Sequence, residues 1–431
     1  MTFFFFLTKN NTGKNINLKL IDENKKIDFI FRLPLYIDEK EWDKEKQRPK
    51  NIYLKNHKKI NNKLDELKIS LTEYLKSKAT KTTITQRSLS KQVQKICSIK
   101  KNCYSENCLL NLIDYYITIK KGLICNSTYK RYKVFFNLIQ RFEGHLTERL
   151  YTQETDMQII NQFLSFGKKE EYSENTIYRT IHFIKTILNF AERRGIPTHV
   201  RELEIRRERQ QKEILTLSEQ EILKIKHTKV PKDLQRAKDW LLISCYTGQR
   251  VSDFMRFSAD KITKVDNCEC LFFTQQKTKK EILLPLHPTV LNVIRGNNHS
   301  FPKPMSLTHY NEDIKKVAQM ADLTQLVKVG KREGYRTKYK EIQKWTALTS
   351  HVGRRSFATN FYGRIPTALL MEATGHSTEQ MFLQYINPIN KERILSLSNY
   401  FDKMYKDRNS ENHNEQFFIT SNYKTNKYCN L

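Results

Sequence analysis

A chain of 431 residues is too long for one compact core and suits two or three domains. Hydrophobic residues make up 39% and aromatics 11%, enough to bury real cores, which excludes a disordered polymer. Lys and Arg number 76 against 46 Asp and Glu, a formal charge of +30, so a polyanionic partner is expected. Nucleic acid is favoured over an anionic membrane, because no long apolar run and no isolated basic amphipathic helix appears.

The opening Met1-Thr2-Phe3-Phe4-Phe5-Phe6-Leu7 lacks the basic segment, the length and the cleavage site of a secretory signal, and it reads as a strand. Ile16-Asn17-Leu18-Lys19-Leu20 alternates apolar and polar residues, as Phe29-Ile30-Phe31-Arg32-Leu33 does in part. Asp22-Glu23-Asn24 supplies a turn between them. A helix is expected from Ile60 to about Lys76, where Ile60, Leu64, Leu67, Leu71 and Leu75 recur at helical spacing. Ser77 to Lys101, rich in Lys, Thr, Ser and Gln, reads as a linker with some helical character. The cysteines show no CxxC pair and no matching His spacing, so reduced intracellular thiols are expected, with no structural metal and no cofactor.

From Leu109 to Arg206 the pattern is helical. Leu110, Ile113, Tyr116 and Ile117 form one stripe, and Tyr132, Phe135, Phe136, Ile139 and Phe142 a second. A third, Ile177, Ile181, Ile184, Leu188 and Ala191, stops at Gly195-Ile196-Pro197, a helix terminator. Lys130, Arg131, Lys133, Arg179, His182 and Lys185 occupy the other faces as candidate DNA contacts; a solvated face is the ordinary reading of each. Residues 202–214 look like a connection. A mixed, mainly helical segment with strands near 270–286 runs from Leu215 to Tyr405, and an Asn-rich tail ends the chain.

That last large segment holds five features in order. Leu241 to Asp253 is an apolar helix broken at Gly248, with Arg250 on the break. Phe272 to Leu286 reads as a hairpin with Lys277 near its tip. Ser350-His351-Val352-Gly353-Arg354-Arg355 should open a helix capped by Ser350 or Thr349, with His351 and Arg354 on one face near its anion-attracting N-terminus. Ala373-Thr374-Gly375-His376 ends another helix, and Ser377-Thr378-Glu379-Gln380 reads as a capping box. Tyr385 lies nine residues beyond His376.

Singly these are weak signals. A lone Arg in a basic protein is usually a surface residue, a lone His near a helix start a cap, and a Tyr after Phe382 and Leu383 core. One reaction needs the whole set. In-line attack on a phosphodiester requires a nucleophile, charge stabilisation of the non-bridging oxygens, and an acid for the departing oxygen. Two arginines supply permanently charged bidentate clamps. A tyrosine phenol can form a covalent phosphoryl intermediate that conserves the bond energy, so rejoining needs no ATP. A lysine on a hairpin can protonate the leaving oxygen, and histidines can handle protons or brace the phosphate.

The segment resembles the tyrosine recombinase (phage integrase) family, whose members carry Arg, Lys, His-x-x-Arg, His or Trp, and Tyr in this order. By resemblance Arg250, Lys277, His351, Arg354, His376 and Tyr385 take the catalytic places. Asp253 matches the acidic residue that commonly follows the first arginine, though a first-turn helix carboxylate reads equally well. Arg355 joins the candidate DNA contacts. Phe382 stands where relatives often have Thr, a departure that touches no catalytic role.

Residues 1–82, including Tyr36-Ile37-Asp38-Glu39-Lys40-Glu41-Trp42-Asp43, are similar to the arm-type DNA-binding domain of integrases from Bacteroidetes-like mobile elements. Linkers are then expected at 83–107 and 207–214, a helical core-binding (SAM-like) domain at 108–206, the catalytic domain at 215–405 and a mobile tail at 406–431. The expected fold is multidomain and mainly α: a small β/α arm domain, the helical domain, and a mixed but mostly α catalytic domain. The resemblance implies double-stranded DNA bound at core and arm-type sites, four protomers on DNA, a host DNA-bending or directionality factor, and a cytoplasmic, nucleoid-associated location without membrane contact. It also implies that the helix from Lys391 to Tyr405 docks on a neighbouring protomer.

Three other readings compete. A metal-dependent nuclease needs clustered carboxylates, and this region offers Asp253, Glu372 and Glu379. A type IB topoisomerase uses similar Tyr and Arg chemistry. A non-catalytic DNA-binding or directionality protein on the same scaffold is expected to lose the tyrosine or an arginine, and here neither is lost.

Overall fold

The computed structural model describes residues 2–10, 13–22, 27–52, 54–78, 85–98, 107–207, 214–333 and 336–386, with 398 and 402. The chain forms two compact units: Met1–Gln210 with Gly330–Tyr339, and Gln211–Val329 with Lys340–Leu431. Among the described residues no helix is long and apolar enough to cross a membrane.

The first unit opens with an antiparallel meander, β1 (Thr2–Asn10), β2 (Gly13–Asp22) and β3 (Ile27–Ile37), in the order β1-β2-β3. Strand alternation turns Ile16, Leu18 and Leu20 of β2 inward, with Phe5, Phe31 and Leu33 beside them. A small ribbon follows, β4 (Trp42–Asp43) with β5 (Arg48–Pro49), and then α1 (Lys55–Lys78). The five apolar residues that predict α1 are all buried in the same cluster.

The stretch read as a linker is only partly one. Gln86–Ser98 forms α2, whose Leu89, Val93 and Ile96 complete the cluster under the sheet. Its polar composition belongs to the solvent side, and three apolar residues at spacings of four and three suffice to dock it.

Four α-helices follow in this unit: α3 (Leu109–Lys120), α4 (Asn126–Leu146), α5 (Met157–Lys169) and α6 (Glu174–Glu192). The three predicted stripes meet in one core, joined by Ile160, Phe163 and Phe166 of α5, an element the sequence pattern leaves unmarked. The terminator after α6 behaves as expected: Gly195 takes φ +78°, and the Ile196 N–H donates to the Ala191 carbonyl at 3.1 Å. α1 lies against α4 through a polar seam. Gly144 is needed there, because a Cβ would collide with the Asp65 side chain, which in turn accepts from Arg48 at 3.2 Å.

The second unit is built around α8 (Lys232–Thr247), which follows α7 (Glu219–His227) and is buried along most of its length. After the short α9 (Val251–Phe254), a sheet of order β6-β7-β8 forms from Ile262–Val265, Cys268–Thr274 and Glu281–Pro285, and its last two strands are the hairpin that the sequence predicts. α10 (Pro288–Gly296) and α11 (Leu307–Met320) pack on α8. A second ribbon, β9 (Leu326–Glu333) with β10 (Arg336–Gln343), is divided between the units, its Gly330–Tyr339 portion grouping with the first, and has no counterpart in the sequence expectations. The unit continues with α12 (Lys344–Ala347), α13 (Val352–Phe361), α14 (Thr367–Thr374) and α15 (Glu379–Leu383). Most of the 207–214 connection, nearly all of the expected Lys391–Tyr405 helix and the 406–431 tail lie outside the described residues.

Candidate active site

The site begins where α8 ends. Gly248 turns the chain with φ +66°, a conformation that favours glycine, and a Cβ there would sit 2.5 Å from the Phe357 ring. The chain restarts with Arg250 at the N-cap of α9. Its Nη1 donates to Oε1 of Gln275 at 3.1 Å and lies 4.0 Å from Oδ2 of Asp253. Asp253 is itself committed, accepting the Gln276 backbone N–H through Oδ1 at 2.9 Å. Lys277 comes next on that turn between β7 and β8; it is exposed and makes no hydrogen bond or ion pair among the described residues.

α13 crosses α8 closely enough that a Cβ on Gly353 would collide with Ser244 Oγ. This crossing carries Arg354 into the interior, where it is fully buried. Its Nη1 donates to the carbonyls of Gly248 and Thr374, both at 2.9 Å, and its Nη2 donates to Nε2 of His376 at 2.9 Å. Arg354 has no carboxylate within ion-pair distance among the described residues, and its Nε has no hydrogen-bond partner. A buried cation so placed is costly unless an anion meets it. Burial and the charge of Arg250 push its pKa down to about 10, which leaves it charged at neutral pH.

The helix start differs from expectation by a residue. No side chain caps α13, and His351, not Ser350 or Thr349, occupies the N-cap. The reason is a tight turn in which the Val352 N–H donates to the Thr349 carbonyl, while the Ser350 N–H donates to Asn311. The expected capping box does not form: Thr378, not Ser377, caps α15 by accepting the Met381 N–H at 3.3 Å, and Met381 has no side-chain oxygen to return the bond.

Tyr385 lies in the turn just past α15, held by the Thr359 hydroxyl donating to its carbonyl at 3.0 Å. Its hydroxyl is 3.3 Å from His351 Nε2, and its ring centroid is 5.4 Å from the Arg354 guanidinium carbon and 5.0 Å from the His376 ring. Burial, then the charges of Arg355, Arg354, Arg250 and Lys277, push the His351 pKa down to about 4. His351 is therefore neutral near pH 7 and can accept a proton.

His376 is pushed down to about 3 by burial and by Arg354, Arg250 and His351. Its tautomer follows from its partners. The Thr374 hydroxyl donates to the Leu370 carbonyl at 2.6 Å, so at 2.7 Å it accepts from Nδ1–H of His376. Nε2 then holds the lone pair facing Arg354. Both ring nitrogens are occupied, which makes His376 a brace for the buried arginine.

Arg250, His351, Arg354, His376 and Tyr385 thus come together, with Lys277 on an adjoining turn. Arg355 is partly buried, and the Tyr385 phenol counteracts part of the depression that burial imposes on it. The helical domain divides the other candidates. Lys130, Arg131, Arg179 and His182 are exposed or partly so. Lys133 is paired with Asp114 at 2.8 Å, and Lys185 donates to the Leu203 carbonyl at 2.8 Å. Sequence reasoning passed over Gln249, Gln275 and Thr374. The available signal was a glutamine on the inward phase of β7, where Leu271 and Phe273 precede it.

Residues 208–393 match the phage integrase family, and residues 108–200 match the phage integrase SAM-like domain. No curated protein matches the chain. Among solved structures, a lambda integrase dimer bound to a COC′ core site is 18% identical, covering 64% of this chain and 93% of its own, with a TM-score of 0.45. The Tn1549 transposon integrase in complex with transposon right end DNA is 12% identical over 68% of this chain and 99% of its own, with a TM-score of 0.49. The XerH site-specific recombinase bound to palindromic difH substrate is 12% identical over 79% and 97%, with a TM-score of 0.49. Two successive segments of this chain match catalytic and SAM-like parts of one group: the chain belongs to the phage integrase family.

Proposed function

We propose that the chain is a site-specific DNA recombinase that cuts and rejoins DNA through a 3′-phosphotyrosyl link made by Tyr385. One observation carries the reading: a tyrosine hydroxyl 3.3 Å from a neutral histidine, beside a fully buried arginine whose charge no neighbouring carboxylate pairs among the described residues. The phenolic oxygen attacks phosphorus in line with the 5′ oxygen. The P–O bond to Tyr385 forms as the P–O5′ bond breaks. The phenol proton passes to His351 Nε2, and the Lys277 ammonium protonates the departing 5′ oxygen. Arg250 and Arg354 hold the non-bridging oxygens where negative charge builds. Attack by a 5′ hydroxyl of another strand reverses every transfer and releases the tyrosine, with no metal or ATP.

Double-stranded DNA is the substrate, at core sites for the catalytic and helical segments and at arm-type sites for the N-terminal segment. Lys130, Arg131, Arg179, His182 and Arg355 suit phosphate contacts. Exchange of two strands from each of two duplexes calls for four copies of the chain. A mobile element is the expected setting, with a host DNA-bending or directionality factor as helper, in the cytoplasm at the nucleoid.

Junction sequencing in cells that carry the gene supplies the crossover sequence. A duplex of that sequence, nicked near the crossover, should trap a detergent-resistant protein–DNA adduct in EDTA. An adduct that persists in Tyr385→Phe, or that requires Mg²⁺, overturns the reading.

A further inference from the structure

We propose that Gln275 is the positioning residue that joins the arginine clamp to the lysine turn, so that Arg250 and Lys277 are set by one side chain. The inference rests on the recombinase reading above. Gln275 is fully buried at the root of the β7–β8 turn. Its backbone N–H donates to the Lys280 carbonyl at 2.9 Å, and its own carbonyl accepts from the Lys279 N–H at 3.0 Å, so it closes the turn that carries Lys277. Its side chain reaches the other way. Oε1 accepts from Arg250 Nη1 at 3.1 Å and from the Thr278 hydroxyl at 2.6 Å. Nε2 donates to Gln249 Oε1 and to the Thr374 carbonyl, both at 3.0 Å.

A primary amide offers two acceptor sites and two donor hydrogens, and all four are used. The orientation is unambiguous: a guanidinium only donates and a carbonyl only accepts, so a flipped amide would set donor against donor. Thr374 also accepts from Arg354 and from His376 Nδ1–H. One amide thereby ties Arg250, the Lys277 turn and the segment that braces Arg354 into a single frame. Gly375 makes room for it, since a Cβ there would lie 2.5 Å from Oε1. Lys277, exposed and otherwise untethered among the described residues, has its base anchored through this amide and Thr278.

The test uses the full-length protein and the nicked crossover duplex in three forms. These are the natural phosphodiester, a 5′-bridging phosphorothiolate whose thiolate leaves without protonation, and a methylphosphonate lacking the non-bridging charge. Wild-type protein must first form the adduct on the natural form; if it does not, the recombinase reading fails before Gln275 is in question. Gln275→Met keeps the side-chain volume and removes all four bonds. Single-turnover cleavage of the natural duplex should fall on the order of 10²-fold, as for an ångström-scale misplacement of reacting groups. DNA affinity should be unchanged, and a large part of the loss should be restored on the phosphorothiolate.

Should Gln275→Met not fold, Thr278→Val decides. It removes one surface hydroxyl bond, and it should slow the natural duplex several-fold while leaving the phosphorothiolate at the wild-type rate. The methylphosphonate should narrow the gap between Gln275→Met and wild type through the Arg250 contribution. Cleavage of the natural duplex by Gln275→Met within about twofold of wild type overturns the proposal, as does an equal loss on all three substrates. Where only Thr278→Val folds, a wild-type rate on the natural duplex overturns it.

Discussion

Arg354 Nη2 donates a hydrogen bond to His376 Nε2 at 2.9 Å, and the histidine's other nitrogen is bonded to Thr374. The bond joins a buried cation to a neutral imidazole and gives the histidine a structural task separate from proton transfer.

Replacement of His376 by Leu leaves a buried N–H of Arg354 without its acceptor, at a cost of about 1–3 kcal/mol in stability. Urea unfolding should show that loss, and cleavage should slow with it. His376→Gln, whose Oε1 can accept from Arg354, should recover most of the stability. Equal destabilisation by Leu and Gln would count against the brace.

Acid should weaken the fold through the same two histidines. Their pKa values in the native state, about 4 for His351 and about 3 for His376, lie below the ordinary 6.5. The unfolded chain therefore binds more protons than the native one as pH falls below 6.5, so stability is complete above that pH and is lost progressively toward pH 3. Urea midpoints taken between about pH 7.5 and about pH 4 should fall, and the fall should shrink in His351→Asn and His376→Asn. A midpoint independent of pH in this window refutes the prediction.

Gly353→Ala drives a methyl into Ser244 on α8. The α8–α13 crossing must then open, at a cost of about 1–3 kcal/mol or more. Loss of cleavage should follow, because the same crossing sets Arg354. A stable, active Gly353→Ala protein would show that the two helices have slack.

The exposed basic residues of the helical domain should reveal themselves in salt dependence. Removing one bound phosphate lowers the slope of log K against log salt by roughly 0.9. Lys130→Ala with Arg179→Ala should lower it by about 1.8. Lys185→Ala should leave the slope alone and instead reduce stability, since Lys185 is spent on the Leu203 carbonyl. The opposite pattern would exchange their roles.

Much of this was legible in residue order. Apolar spacing marks α1, α4 and α6 because a helix repeats its inward face every three or four residues, and Arg250, His351, Arg354 and His376 gather around Tyr385 with the Lys277 turn adjoining. The linker reading failed at α2 because three apolar residues were enough where the rest faced water. The β9–β10 ribbon buries none of its described side chains, so it gives no periodic signal of a core. The caps of α13 and α15 slipped by one residue, since turn hydrogen bonds decide them. Gln275 and the His376 brace were hidden for a deeper reason: hydrogen-bond partners 99 and 22 residues apart exist only after the chain has folded.

The acceptors around Arg354 lie far apart along the polypeptide, with Gly248 at 106 residues' distance and Thr374 at 20. The guanidinium acquires its orientation only when the α8 terminus and the α14 terminus have both arrived. A nascent or partly melted chain still carries Tyr385 and the full +30 charge, but the buried guanidinium has not yet been placed beside it. On the mechanism proposed above, the ability to cut DNA therefore arrives with the completed fold and not before it.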